Sequence, residues 1–155
     1  MKKLLTLLAL ALISVATLPV QAATATGNFD VTVNLTPKCE ITTTPGNLSV
    51  NYTSFQTTDA TNSTDFAVRC TNTLGYSMAL SSTSGTLVGL DYTLAIRNAG
   101  DTANASTGTG AGTTATSYKI KATVAKDQSG TCSTAQTSPT VCTATDSART
   151  LTITY

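Results

Sequence analysis

Across residues 27–35 apolar and polar side chains alternate without a break. Phe29, Val31, Val33 and Leu35 take every second position, with Asn28, Asp30, Thr32 and Asn34 between them. In an extended chain that alternation gathers the apolar groups on one edge and the polar groups on the other. At about 3.4 Å per residue the four apolar side chains form a row roughly 20 Å long. The same period returns downstream in shorter runs. Leu48, Val50 and Tyr52 alternate with Asn47, Ser49 and Asn51, and Phe66, Val68 and Cys70 with Asp65, Ala67 and Arg69. Tyr76, Met78 and Leu80 form the next set, then Leu90, Tyr92, Leu94 and Ile96, then Tyr118, Ile120, Ala122 and Val124. The last run, Leu151, Ile153 and Tyr155, reaches the final residue. Turn-rich stretches separate the runs, among them Thr44-Pro45-Gly46-Asn47 and Ser84-Gly85, and a Gly/Thr/Ala-rich link covers 98–117. No sustained helical period occurs after the first 22 residues. Many half-buried strands without intervening helices predict an all-β sandwich or barrel, with an immunoglobulin-like β-sandwich the leading choice.

The chain opens on Met1-Lys2-Lys3, an apolar run over 4–20, and small residues at Ala22 and Ala23. A basic head, apolar middle and small-residue exit predict a cleaved Sec signal peptide over 1–22. The apolar run is slightly short for a membrane span, and no basic cluster follows it. What remains has the size of one domain.

Composition narrows the class. Without Lys2 and Lys3 the charge is close to balanced, which speaks against nucleic acid or an anionic membrane as the main partner. About a quarter of the residues after the leader are threonine, β-branched and suited to strands. The four cysteines, Cys39, Cys70, Cys132 and Cys142, are an even set in an exported chain, so disulfides are expected, with three possible pairings. The simplest is Cys39–Cys70 with Cys132–Cys142. A loop of the first size would stabilise the fold by about 3–4 kcal/mol. The second bond would staple the 129–145 connection. A zinc site would lack both a CxxC pair and any histidine.

The residues left over offer little chemistry. There is no histidine or tryptophan, and Glu40 is the sole glutamate. A serine nucleophile would lack its usual base and a hydrolytic metal most of its ligands. Asp91 and Asp101 are the one pair of carboxylates to consider for glycoside hydrolysis, but aspartates in strand-and-turn sequence are far more often solvated. Gly108-Thr109-Gly110-Ala111-Gly112 follows no strand-to-helix signal and reads as a flexible loop rather than a phosphate cradle. No catalytic residue, cofactor, metal or small-molecule substrate is expected. A monomeric secreted coat or carbohydrate-binding β-sandwich is the other class to weigh. Of the aromatics between the terminal strands, Tyr52, Phe55, Tyr76, Tyr92 and Tyr118 among them, most fall at core-facing positions rather than forming a sugar-stacking cluster.

Both ends carry strands ill suited to a closed sandwich. Residues 29–35 hold Asp30 as their one charge and no proline, and 150–155 alternates up to the final residue. Exposed apolar edges are normally blunted by charge, proline or bulges. On this pattern one end is expected to supply a strand and the other to lack a neighbour.

A leader, a Gly-x-φ-x-Val-x-φ-x-φ strand at 27–35, Cys39 soon after, Cys70 further on, a Thr/Ala/Gly-rich β domain and a terminal Leu151-Thr152-Ile153-Thr154-Tyr155 strand resemble the spore coat U domain family. Within it the likeness is to Csu-type pilin subunits of archaic chaperone–usher pili. The resemblance implies an incomplete immunoglobulin-like sandwich lacking its last strand, over 38–155, preceded by a donor-strand extension over 23–37. Phe29, Val31, Val33 and Leu35 would then fill the groove of a neighbouring subunit. Leu151, Ile153 and Tyr155 would lie on the strand edging this subunit's own groove. The implied partners are a periplasmic chaperone, an outer-membrane usher, and other copies or related pilins in a head-to-tail fibre serving adhesion and biofilm formation. The cysteine pair usual in the family maps to Cys39 and Cys70. Cys132 and Cys142 lie outside that pattern.

Overall fold

The computed structural model describes residues 23–132, 141–147 and 149–155. The expected signal peptide lies outside the described residues, as does most of the loop between Cys132 and Cys142. The chain divides into two units, Met1–Asn34 and Leu35–Tyr155. Of the first, residues 23–34 belong to no helix, strand or ladder, and every one of them is exposed.

The second unit is all-β, and its described residues form two antiparallel sheets and no helix. The strands are β1 (Cys39–Thr43), β2 (Ala60–Cys70), β3 (Gly75–Leu80), β4 (Ser84–Leu87), β5 (Leu90–Asn98), β6 (Thr107–Thr109), β7 (Thr116–Val124) and β8 (Leu151–Thr154). One sheet has the order β1-β2-β7-β5-β4 and the other β6-β3-β8. The arrangement is consistent with a β-sandwich, because both sheets contribute to a single core. Phe66, Val68 and Cys70 from β2, Tyr118 and Ile120 from β7, and Ile96 from β5 meet Tyr76 and Met78 from β3. Period-2 patterning dictates this: in β3 and β7 every second residue is buried and its neighbours are not.

Both disulfides of the simplest pairing are present, Cys39–Cys70 and Cys132–Cys142. The first joins the opening residue of β1 to the closing residue of β2, which are register partners. Two disulfides suggest an oxidising, extracytoplasmic environment.

Three local expectations are corrected. Residues 47–52 form no strand ladder, although Leu48, Val50 and Tyr52 remain half-buried and their neighbours exposed. Side chains, not backbone, tie this stretch to β2: Asn62 Nδ2 donates to the Ser49 carbonyl at 2.7 Å, and Gly46 N to Thr64 Oγ1 at 2.8 Å. Ser84-Gly85 is not a turn but the start of β4, paired with Thr93 and Tyr92. The glycine is there for close approach, since a Cβ at residue 85 would fall 2.6 Å from both Arg149 Nη2 and the Tyr92 hydroxyl. The glycine-rich stretch at 108–112 is not a loose loop. Gly108 lies in β6 with its backbone against a buried pair of hydroxyls, where a Cβ would meet Tyr76 and Tyr118 at 2.3–2.5 Å.

Those two hydroxyls, Tyr76 from one sheet and Tyr118 from the other, are hydrogen-bonded at 2.8 Å and make a polar rivet inside the core. Burial first, and then the bond to Tyr76, push the Tyr118 phenol well above its ordinary value. The folded state therefore holds that proton more tightly than the unfolded state. The resulting stabilisation is complete below about pH 10 and is lost as pH rises through the folded value. In an alkaline absorbance titration, one phenolate signal is expected only together with unfolding, and Tyr118→Phe should remove it. A Tyr118 that ionised in the ordinary range with the fold intact would contradict the rivet.

Candidate functional site

The candidate features are an exposed apolar row in the first unit and an edge strand in the second. Phe29, Val31 and Val33 are 84, 75 and 84% exposed, and Leu35, where the second unit begins, is 77% exposed. Four large apolar side chains exposed within seven residues is a costly display in water. Covering them would be worth about 1.5–3 kcal/mol each.

β8 is the terminal strand of the three-stranded sheet, with β3 as its one neighbour among the described residues. An edge strand of this kind presents unpaired N–H and C=O groups along its outer side. Leu151 and Ile153 lie on its inward face, half-buried against the core cluster, as Leu48 and Leu80 are. Tyr155 lies just beyond the strand and is 58% exposed. No charge or proline occurs in β8 to blunt the edge.

The approach to β8 is held by a clasp that no sequence period signals. Arg149 Nη2 donates to the Ser84 carbonyl at 2.9 Å and to the Tyr92 hydroxyl at 2.7 Å, and forms an ion pair with Asp146 at 2.6 Å. The Tyr92 hydroxyl in turn donates to Asp146 Oδ2 at 2.9 Å. The Tyr92 hydroxyl, ahead of the ion pair, holds the Arg149 guanidinium in its charged form. Next to the clasp, Thr150 and Ser81 exchange bonds, Thr150 N to Ser81 Oγ at 3.0 Å and Ser81 N to the Thr150 carbonyl at 2.9 Å. The start of β8 is thereby pinned to β4 and β5 of the other sheet.

At the opposite end of the strands, Lys38 precedes β1 and is tied to the turn after β2. Its N–H donates to Thr71 Oγ1 at 2.9 Å, and its carbonyl accepts from Thr71 N at 2.9 Å. Lys38 Nζ also reaches Glu40 at 2.8 Å, and Arg69 pairs with the same carboxylate. The hydrogen bond from Lys38, then that from Arg69, hold Glu40 below the usual carboxylate range, and Glu40 raises Lys38 in return. A depression of about 340 Å³ opens here, lined by Lys38, Glu40, Arg69, Thr71 and Thr113.

The structure does not bring Asp91 and Asp101 together. Asp91 is near the start of β5 and Asp101 past its end, so roughly 24 Å of strand separates them. Asp91 accepts from Thr86, and Asp101 from Lys121 and Arg97, which hold it below the ordinary aspartate value. Of the aromatics between the terminal strands, Phe66, Tyr76 and Tyr118 are core, while Tyr52 and Tyr92 are half-buried. Phe55 differs from both groups. It is 72% exposed and held at φ 65°, a left-handed conformation rare for so large a side chain. No protein-family model, curated protein or solved structure matches this chain.

Proposed function

We propose that this chain is a structural, non-catalytic subunit of a chaperone–usher fibre of the spore coat U, Csu-type pilin kind. It polymerises when the 29–35 strand of one copy enters the sandwich of the next. One observation carries the reading: a strand-length row of exposed apolar side chains, Phe29, Val31, Val33 and Leu35, occurs in the same chain as an unblunted edge at β8. The strand order supports it. β1-β2-β7-β5 matches the A-B-E-D order of an immunoglobulin sheet and β3-β8 matches C-F, with β4 and β6 as additions, and on this reading a strand beside β8 would take the place of strand G. No described residue fills that position. An added strand gains main-chain hydrogen bonds along the edge, and alternate pockets set its register. A donor on one surface and an acceptor on another make a heterologous contact, which propagates as an open filament. On this reading the chain is exported through the Sec pathway, is held by a periplasmic chaperone, and is assembled at an outer-membrane usher into a cell-surface fibre for adhesion and biofilm formation.

A labelled peptide of residues 27–37, titrated into the full chain and followed by anisotropy, is expected to bind. The same peptide with Asp at positions 31 and 33 is expected not to bind. Equal binding of the two peptides, or binding of neither, would sink the proposal.

A further inference from the structure

The ladder registers fix two ends of the sandwich. Cys39, Cys70, Thr116, Asn98 and Tyr155 lie at one end, which is also the root of the 29–35 extension; Ala60, Val124, Leu90, Leu87 and Leu151 lie at the other. The charged side chains segregate between them. Toward the root end, carboxylates are shared: Lys38 and Arg69 converge on Glu40, Arg97 and Lys121 on Asp101, and Lys119 pairs with Asp65. Five side-chain cations there meet three side-chain carboxylates, a side-chain charge of +2. Toward the far end, Arg149 neutralises Asp146. Among the described residues there, Asp59, Asp91 and Asp127 take part in no salt bridge, and Lys126 is the one further cation. That end carries −2. The far end also presents Phe55, exposed on the strained turn that pairs with Gln128.

We infer that successive copies make a second contact besides the inserted strand, in which the positive root end of one seats on the negative, Phe55-bearing far end of the next. The inference rests on the strand-exchange reading and adds its geometry. Every ladder in both sheets is antiparallel. A strand added to β8 in the same sense places Leu35 beside Leu151 of the acceptor, at its far end. Leu35 is four residues from Cys39, so the donor's root end arrives there with it. The +2 end then faces the −2 end, and Phe55 comes within reach of the depression lined by Lys38, Glu40 and Arg69. Opposed charges at an interface rim act mainly on the rate of encounter and on register. They reject the reversed docking, in which like ends would meet.

The test is association of the full chain, followed by light scattering and native mass spectrometry, in about 0.02 M and about 0.5 M salt, which brackets effective and nearly complete screening. The wild-type rate is expected to fall about tenfold at the higher salt. Asp59→Lys/Asp127→Lys makes both ends positive, and Lys38→Glu/Lys119→Glu makes both negative. Each alone should associate about tenfold more slowly than wild type at low salt. An equimolar mixture of the two should recover the wild-type rate as alternating oligomers, which also guards against simple misfolding of either variant. If the wild type assembles and neither salt nor the reversals change its rate, the end-to-end contact is overturned while strand exchange stands. If Val31→Asp/Val33→Asp assembles with the wild-type salt dependence, the end contact is supported and strand exchange falls. If the wild type does not associate at all, both fall.

Discussion

Phe66→Ala is expected to lower the stability of the full chain by about 3–5 kcal/mol, measured as a shift in the denaturant midpoint. Phe66 is the most buried large side chain of the core, 0% exposed, and its ring stacks on Tyr118 with centroids 5.5 Å apart. It occupies the middle of β2, which is paired with β1 on one side and β7 on the other. Truncation leaves a cavity in the core shared by the two sheets, which β2 cannot close without breaking its ladders, and it removes the support under the Tyr76–Tyr118 rivet. For a domain of this size such a loss is a large share of the total. A cost below about 1.5 kcal/mol would mean that the core repacks around the gap, and that the two sheets are not locked where the rivet places them.

Val31→Asp/Val33→Asp is expected to abolish self-association while leaving thermal unfolding of the monomer unchanged. The four apolar side chains offer roughly 6–12 kcal/mol on burial. Two aspartates remove about half of that and add the cost of placing two carboxylates in apolar pockets, which is several kcal/mol without partners. Valine at these positions is already 75 and 84% exposed, so the monomer gives up no packing. The two measurements together are decisive. Loss of assembly with an unchanged melting curve assigns the row to a partner. Loss of both would assign it to the chain's own fold.

Much of the sandwich was legible because strands patterned at period 2 around β-branched and aromatic residues announce themselves. β3, β5, β7 and β8 fall where Tyr76, Leu90, Tyr118 and Leu151 begin their runs. The failures have physical causes. The first half of β2, Ala60-Thr61-Asn62-Ser63-Thr64, carries no apolar signal and is a strand because Ile120, Ala122 and Val124 of β7 impose a ladder on it. Conversely, 47–52 has the alternation but forms no backbone ladder, because Asn62 and Thr64 meet it with side chains. Glycines at 85 and 108 looked like turn and loop residues, whereas their missing Cβ makes room for tyrosines. At the candidate site, the alternation over 29–35 and the terminal strand were readable from spacing, whereas the exposure of that row was not, since an alternating strand can equally fold back into its own domain. The Arg149 clasp was not, since Tyr92 lies 57 residues from its partner. Nor was the charge segregation, which becomes visible only when the register states which end each residue occupies.

The Cys39–Cys70 bond has a mechanical consequence. Any pull on residues 29–35 travels through Thr36 and Pro37 to Lys38, which two hydrogen bonds hold to Thr71, and then to Cys39. β1 is five residues long and pairs with β2 alone, so under tension only a short ladder would resist. The crosslink passes the load at once to Cys70, at the end of the eleven-residue β2, whose ladder with β7 runs from Ala60 to Val68. A thiol reductant would thus weaken the anchorage of the extension under force, even where the resting domain kept its shape.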